Sequence, residues 1–339
     1  MLSRTIGDYH FLADSKTGTT FRWGKTFNDD PLFAPIPELA DISISNRCHK
    51  GCNFCYRDST PNGSLMSLED YCAVLDSMNS PEFGNVFQVA LGGGEPLQHP
   101  DFIDIIDETV KRGIVPNFTT NGLLLTESLF DNIRGKVGAL AISVTDKEEI
   151  KSLVDTIGLC TDVKVNLHYI LSRRSISQAV DIVNGKYDYL LSSINAIIFL
   201  TYKPAGRGVM SDVLIPGYEL SEFLSSIEHP RTACKVGFDA CFVPSILSRD
   251  QKLINYVDFC EGGFFSVYIN ERKEVSPCSF SNGRDAYSLD EYDFYDIWLN
   301  KFQTFREQQQ NHCKADCSVK NLCRGACPYY HQITTCYKW

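Results

Sequence analysis

The sequence predicts an α/β protein: a parallel sheet crossed by helices, followed by a small, cysteine-rich, loop-dominated domain. Three observations lead there. From residue 41, short apolar segments rich in Val and Ile alternate with segments of helical spacing. Of fourteen cysteines, nine lie at or beyond residue 234. The first forty residues follow neither pattern. The expected organisation is therefore an N-terminal extension over 1–40, the α/β unit over 41–230 and the cysteine-rich unit over 231–339.

Taken in order, Tyr9 to Leu12 and Thr19 to Trp23 flank a turn at Lys16-Thr17-Gly18 and read as a hairpin. It caps the neighbouring unit or offers an edge strand to a peptide. Pro31, Pro35 and Pro37 mark the loop that follows. Strands are expected at Asp41–Ser45, Val86–Leu91, Val115–Thr120, Ala139–Val144, Lys164–Leu171 and Ala196–Leu200. They suit a sheet buried on both faces. Helices are expected between them. Ser67 is the N-cap of one running to about Met78, with Asp70 at N3. Asp101–Arg112 places Phe102, Ile105, Ile106 and Val110 near one face. Thr126–Asn132, Lys147–Ile157, Ile176–Val183 and Leu220–Ile227 are the others. Strand and helix in alternation imply right-handed crossovers, in an open sheet or a barrel fragment.

A chain of 339 residues with 43% apolar content can bury a large core. The formal net charge of −10 argues against a nucleic-acid substrate, which requires a basic surface. Lys314, Lys320, Arg324 and Lys338 lie among the last cysteines and read as solvating a loop-rich segment. The start, MLSRTIGDYHFLADSK, lacks the apolar core of a secretory signal, and no apolar run is long enough to span a bilayer. The expectation is a cytoplasmic protein without membrane partners, whose thiols bind metal rather than form disulfides. Cys72, Cys160 and Cys234 read as ordinary small buried hydrophobes.

Two motifs carry chemistry. Cys48-His49-Lys50-Gly51-Cys52-Asn53-Phe54-Cys55 follows the first strand with C-x3-C-x2-C spacing. Four-iron clusters are normally held by four thiolates. Three leave one iron open to a substrate or cofactor, by the logic that separates catalytic from structural zinc sites. A zinc site completed by His49 is the other reading of these residues. At the end of the second strand stands Gly92-Gly93-Gly94-Glu95-Pro96. Its glycines let a backbone approach a ligand closely, and Glu95 can accept from an ammonium group. Taken alone, such a segment is usually only a turn.

Together these residues resemble the radical S-adenosylmethionine (SAM) superfamily, with its cysteine triad after the first strand and its Gly-Gly-Glu on the next. The resemblance implies a partial (β/α)6 TIM-type barrel with ligands at the C-terminal strand ends. It implies a [4Fe–4S] cluster on Cys48, Cys52 and Cys55, whose open iron takes the amino and carboxylate groups of SAM. One electron then releases a 5′-deoxyadenosyl radical. Gly93, Gly94 and Glu95 would bind the SAM amino group. Asn121, Ser143 and Asn166 would meet its ribose or carboxylate, although Asn121 also suits a left-handed turn before Gly122. His168 points into the barrel mouth or is a core histidine. Lys203-Pro204-Ala205-Gly206-Arg207-Gly208 resembles a loop that packs near the adenine; Arg207 either grips a substrate carboxylate or lies on the surface.

The C-terminal pattern is Cys260-x17-Cys278, then Cys313-x3-Cys317-x5-Cys323-x3-Cys327, then Cys336. It resembles the SPASM extension of the same superfamily, which carries one or two auxiliary [4Fe–4S] clusters. By that resemblance Cys260, Cys278 and Cys327 serve the first cluster, with Cys241 the candidate fourth ligand; without Cys241 that cluster has an open iron. Cys313, Cys317, Cys323 and Cys336 serve the second. Two departures stand out. Lys273 replaces a glycine five residues before Cys278, so the turn there is expected to be made differently, and Cys313 and Cys317 are one residue further apart than the pattern. Structural zinc is the alternative occupant.

The resemblance implies a hydrogen-abstracting enzyme that most often acts on peptides or proteins, making cross-links, thioethers or formylglycine. An external electron donor of the flavodoxin or ferredoxin type would supply it. No segment before the barrel is long enough for the winged-helix leader-binding domain of some relatives. The alternatives are a small-molecule radical SAM dehydrogenase and a non-catalytic iron–sulfur electron carrier. No hydrogen donor or general base stands out.

Overall fold

The computed structural model describes residues 1–159, 162–310, 313, 316–319, 323, 325 and 327–336, the side chains of 254–256 and 310 excepted. Cys160, Lys314, Lys320, Arg324 and Lys338 lie outside the described residues.

The N-terminal extension is a three-stranded antiparallel sheet, β1 (Leu2–Ile6), β2 (Tyr9–Asp14) and β3 (Thr19–Trp23), one strand more than expected. In β2, Tyr9, Phe11 and Ala13 alternate inward and pack with Phe87, Phe264 and Phe265. Arg4 donates to Asn85 O (2.5 Å), just before a barrel strand begins. Tyr9 Oη and Arg22 Nη1 both bond the buried Glu38 carboxylate, at 2.7 and 2.9 Å. The hairpin thus caps the barrel at the N-terminal ends of its strands.

The expected strands appear as β4 (Leu39–Ser45), β5 (Gln88–Gly93), β6 (Val115–Thr120), β7 (Ala139–Val144), β8 (Lys164–Leu171) and β9 (Ala196–Thr201). β5 starts and ends two residues later than expected, because the ladder to β4 continues through Gly92 and Gly93. Two further parallel strands were not foreseen: β10 (Lys235–Phe238) beside β9, and β11 (Ser266–Ile269) beside β4. The sheet order is β10-β9-β8-β7-β6-β5-β4-β11, continued antiparallel by β12 (Glu274–Ser276) and β13 (Tyr287–Ser288). β10 and β11 do not pair, so the barrel is partial and open on one side. The sheet also crosses residue 230, where the composition changes.

Helices α1 (Leu68–Ser77), α2 (Phe102–Lys111), α3 (Glu127–Ile133), α4 (Lys147–Gly158), α5 (Ile176–Val183), α6 (Asp188–Leu191) and α7 (Tyr218–Glu228) cover the outer face. Ser67 caps α1 by accepting from Asp70 N at 3.0 Å. In α2 the core-facing residue is Thr109 rather than Val110, which is 41% exposed. The reason is a hydrogen bond between Thr109 Oγ1 and the buried Tyr71 hydroxyl at 2.6 Å. Residues on one face of each strand, such as Val165, Leu167, Tyr169 and Leu171, are buried beneath the helices. The alternate residues face the barrel interior.

Beyond β10 come α8 (Val243–Arg249) and α9 (Gln303–Gln310). Lys273 sits at φ +62°, the backbone conformation a glycine would adopt. The turn is therefore not made differently, as expected, but made with a strained lysine. Lys273 N bonds Asn270 O at 2.9 Å, and its ammonium pairs with Asp70 (3.0 Å) and Asp290 (2.7 Å).

Candidate functional site

β4 ends at Ser45 and delivers the cysteine loop at the C-terminal end of the barrel, where parallel barrels bind ligands. The thiols of Cys48, Cys52 and Cys55 face one another closely enough to interact electrostatically. Burial pushes the Cys52 thiol up, Lys50 opposes this, and Cys48 and Cys55 add to it. Three thiols in a half-buried loop fit a cluster with one open iron.

The loop is braced from several directions. Cys48 N bonds Thr60 O at 2.9 Å. Gly94 N and Glu95 N donate to Ser45 O (2.6 Å) and Arg47 O (2.7 Å), so the glycine segment is tied to the loop's base. A β-carbon on Gly93, where φ is +106°, would lie 2.2 Å from Ser45 O; one on Gly94 would lie 2.3 Å from Arg47 O. These glycines are required by backbone against backbone. Gly92 differs, since a β-carbon there would meet nothing within 4 Å. It leaves open room at the C-terminal end of β5.

Glu95 was expected to accept from a ligand ammonium. Its carboxylate instead faces β6, 1% exposed, and takes Thr120 Oγ1 (2.7 Å), Asn121 N (2.8 Å) and Leu97 N (3.1 Å). Burial raises its pKa against these three donors, led by Asn121 N. It ties the ends of β5 and β6 together, and the polar edge left toward a ligand is the glycine backbone.

Asn121 is not left-handed: Gly122 takes the positive φ of +83°. Asn121 Oδ1 accepts from Leu123 N at 3.0 Å, and its amide Nδ2 lies 3.9 Å from Cys48 Sγ. Ser143 faces the barrel interior beside His168 in register. Asn166 does not join them. It is the third residue of an eight-residue strand, and its Oδ1 accepts from Asn195 at 2.8 Å, where β9 begins. It therefore sits near the N-terminal end of the barrel, away from the triad. His168 is half-buried, and desolvation lowers its pKa to about 4 against the field of Asp239.

The loop 203–208 packs on the cysteine loop. Gly206, at φ +56°, would place a β-carbon 2.3 Å from Cys55 O. Arg207 is neither a substrate clamp nor a free surface residue. Its Nε donates to Cys52 O (2.9 Å), its Nη1 to Ser59 O (2.9 Å) and Asp58 (2.8 Å), and its backbone N to Cys55 O (3.0 Å). Partners about 150 positions away in sequence gave no local signal for this role.

The open side of the barrel is closed by thiols. Cys241 follows β10, Cys260 precedes β11, Cys278 follows β12, and Cys327 comes from the last segment. All four line one cavity of about 660 Å³, together with Asp41, Lys203 and Asp239. The Cys241 and Cys327 thiols are hydrogen-bonded, a contact that raises the pKa of Cys241 and lowers that of Cys327. Burial raises Cys278 to about 12, with Cys260 and Cys241 adding to the shift. The second set also gathers: burial raises Cys323 to about 11, and Cys336, Cys313 and Cys317 all act on it. Among the described residues no three His, Cys, Asp or Glu side chains close on a point fit for a single metal ion. The first four thiols line that cavity together. Cys72 and Cys234 stand apart from these groups and are half-buried rather than buried.

Comparison with known proteins agrees with this geometry. The family model "Radical SAM superfamily" matches residues 42–167. A tungsten-containing aldehyde ferredoxin oxidoreductase cofactor-modifying protein from Pyrococcus furiosus is 22% identical, over 83% of this chain and 87% of its own. PqqA peptide cyclase from Granulibacter bethesdensis is 22% identical, over 86% of this chain and 82% of its own. The crystal structure of Streptococcus suis SuiB bound to precursor peptide SuiA superposes with a TM-score of 0.66 at 16% identity, covering 90% of this chain and 77% of that one. At that identity the likeness is one of fold.

Proposed function

The chain belongs to the radical SAM superfamily, and from that premise we propose that it is an enzyme modifying a peptide or protein by hydrogen abstraction. The observation that carries the reading is the arrangement of thiols. Three stand on the loop that follows β4, and four more line a cavity on the barrel's open side. That two of the proteins similar in sequence or fold are a peptide cyclase and a peptide-bound enzyme supports a peptide over a small alcohol.

A [4Fe–4S] cluster with SAM, when bound, supplies the reductive cleavage of SAM and the hydrogen-abstracting radical. Cys48, Cys52 and Cys55 would hold that cluster. Asn121 would lie beside it and Ser143 on the neighbouring inner wall. Gly92 to Gly94 would give the SAM amino group backbone carbonyls to meet. Glu95 holds that edge in place from behind. Cys241, Cys260, Cys278 and Cys327 would hold one auxiliary cluster, with no open iron, and Cys313, Cys317, Cys323 and Cys336 a second. An external flavodoxin- or ferredoxin-type donor and a cytoplasmic location complete the reading. Among the described residues no helix is long and apolar enough to cross a membrane.

The test is 5′-deoxyadenosine formation by anaerobically reconstituted protein given SAM, a strong reductant and a perdeuterated digest of cellular proteins. Deuterium should enter the 5′-deoxyadenosine, and Cys52→Ala should form none. Deuterium arriving only from a perdeuterated pool of sugars and alcohols would move the substrate to small molecules. Absence of product from iron-loaded protein would sink the enzymatic reading.

A further inference from the structure

The cavity bounded by Cys241, Cys260, Cys278 and Cys327 is also lined by the carboxylates Asp41, Asp239, Asp258 and Glu261. Against these eight acidic or acid-forming groups stands one cation among the described lining residues, Lys203. It stands two residues past the end of β9, and its side chain is 5% exposed. Its ammonium donates to Thr201 O (3.1 Å) and Asp239 Oδ2 (3.1 Å) and lies 4.4 Å from the centroid of the Phe280 ring. Phe280 N in turn donates to Cys278 Sγ at 3.5 Å. Asp239 is held on its other oxygen by Thr201 Oγ1 at 2.6 Å. The charge of Lys203 acts on three of the thiols, Cys241, Cys278 and Cys327. Asp239 registers on Cys241, more weakly than Lys203 does.

Four thiolates around an iron–sulfur core carry net negative charge, which grows by one on reduction. In a buried site the reduced form is disfavoured unless a neighbouring cation offsets it. Groups that do not bind the metal set its potential in this way. We propose that Lys203, held by Thr201 O and the Phe280 ring and partly offset by Asp239, balances the charge of the four-thiol site, stabilising the reduced state of an iron–sulfur cluster there and so raising its reduction potential. This rests on the assignment of that site to an auxiliary cluster. The competing role for Lys203 is a plain ion pair tying β9 to β10, and it makes no demand on potential.

The experiment is a redox titration, followed by electron paramagnetic resonance, of anaerobically reconstituted full-length protein. The signal of interest is the one lost in Cys278→Ala. Lys203→Met should shift its midpoint to more negative potential, and Lys203→Arg should restore most of the shift. Asp239→Asn, which removes the nearest carboxylate and leaves the ammonium, should move the midpoint the opposite way. The signals of the other clusters should stay in place. An unchanged midpoint in loaded Lys203→Met, or shifts of the same sign in both variants, would overturn the proposal. If Lys203→Met does not load, Asp239→Asn still decides, since lack of a positive shift there refutes it. Wild-type iron content and signals in Cys278→Ala would instead overturn the cluster assignment itself.

Discussion

Removing the Arg207 guanidinium should loosen the cysteine loop before it changes anything else. Two of its bonds reach backbone carbonyls, Cys52 O and Ser59 O, each at 2.9 Å. The side chain is 29% exposed, so each charge-assisted bond is taken at the low end, about 1.5 kcal/mol. The pairing with Asp58 adds little, because that carboxylate is 66% exposed. Arg207→Ala therefore costs about 3 kcal/mol of loop order, or roughly a hundredfold in the affinity of the triad for its cluster. The assay is chelator competition on anaerobically reconstituted protein, scored by retained iron and sulfide. Arg207→Lys should recover only part of the loss, since an ammonium cannot reproduce the directed fork of donors. Wild-type iron retention in Arg207→Ala, with loss only of substrate-dependent turnover, would refute the bracing role and return Arg207 to the substrate.

Three other outcomes follow from the structure. Burial pushes Asp41 up to about 7, against the field of Arg57. Between the ordinary carboxylate range and pH 7 the folded state keeps a proton that the unfolded chain has lost, so stability falls as pH rises through that window. Asp41→Asn should flatten the slope and be the more stable protein at pH 8, by a few kcal/mol at most, at about 1.4 kcal/mol for each tenfold change in proton affinity; equal urea midpoints at pH 5 and 8 in the parent would contradict this. Gly94→Ala should misfold or lose iron, because its methyl meets Arg47 O, whereas Gly92→Ala should keep the parent melting temperature and weaken SAM binding in equilibrium dialysis. Unweakened SAM binding in Gly92→Ala would remove SAM from the open room there. Lys273→Gly should leave the melting temperature nearly unchanged, since relief of about 1 kcal/mol of backbone strain offsets two exposed ion pairs; a large drop would show that the pairs dominate.

Much of the barrel was legible because its strands are short Val- and Ile-rich runs set between helical patterns. The thiol sets stood out in the sequence because their cysteines recur at short spacing. What escaped was set by tertiary packing. β10, with Gly237 in a four-residue strand, and β11 are too short to stand out by period. Asn166 was placed at the wrong end because a polar residue in a strand does not declare how far along the strand it lies. The role of Arg207 depends on a loop distant in sequence, and the partnership of Lys203 with Asp239 on two strands that become neighbours only in the sheet. Lys273 shows the reverse case. A conformational requirement persists although the residue that usually meets it is gone.

The pairing of β11 with β4 fixes an order of events during synthesis. β4 leaves the ribosome early and carries the cysteine loop at its end, yet its second neighbour in the sheet is made more than two hundred residues later. Until then one edge of β4 exposes unpaired backbone groups, a template for association with other chains. The long wait also makes the contact slow to form. A fragment ending near residue 230 would keep the whole triad but leave that edge bare and the barrel's side unsealed. Dissection of the chain at its compositional boundary should therefore yield an aggregating barrel, and expression vectors for functional work should carry both strands in one polypeptide.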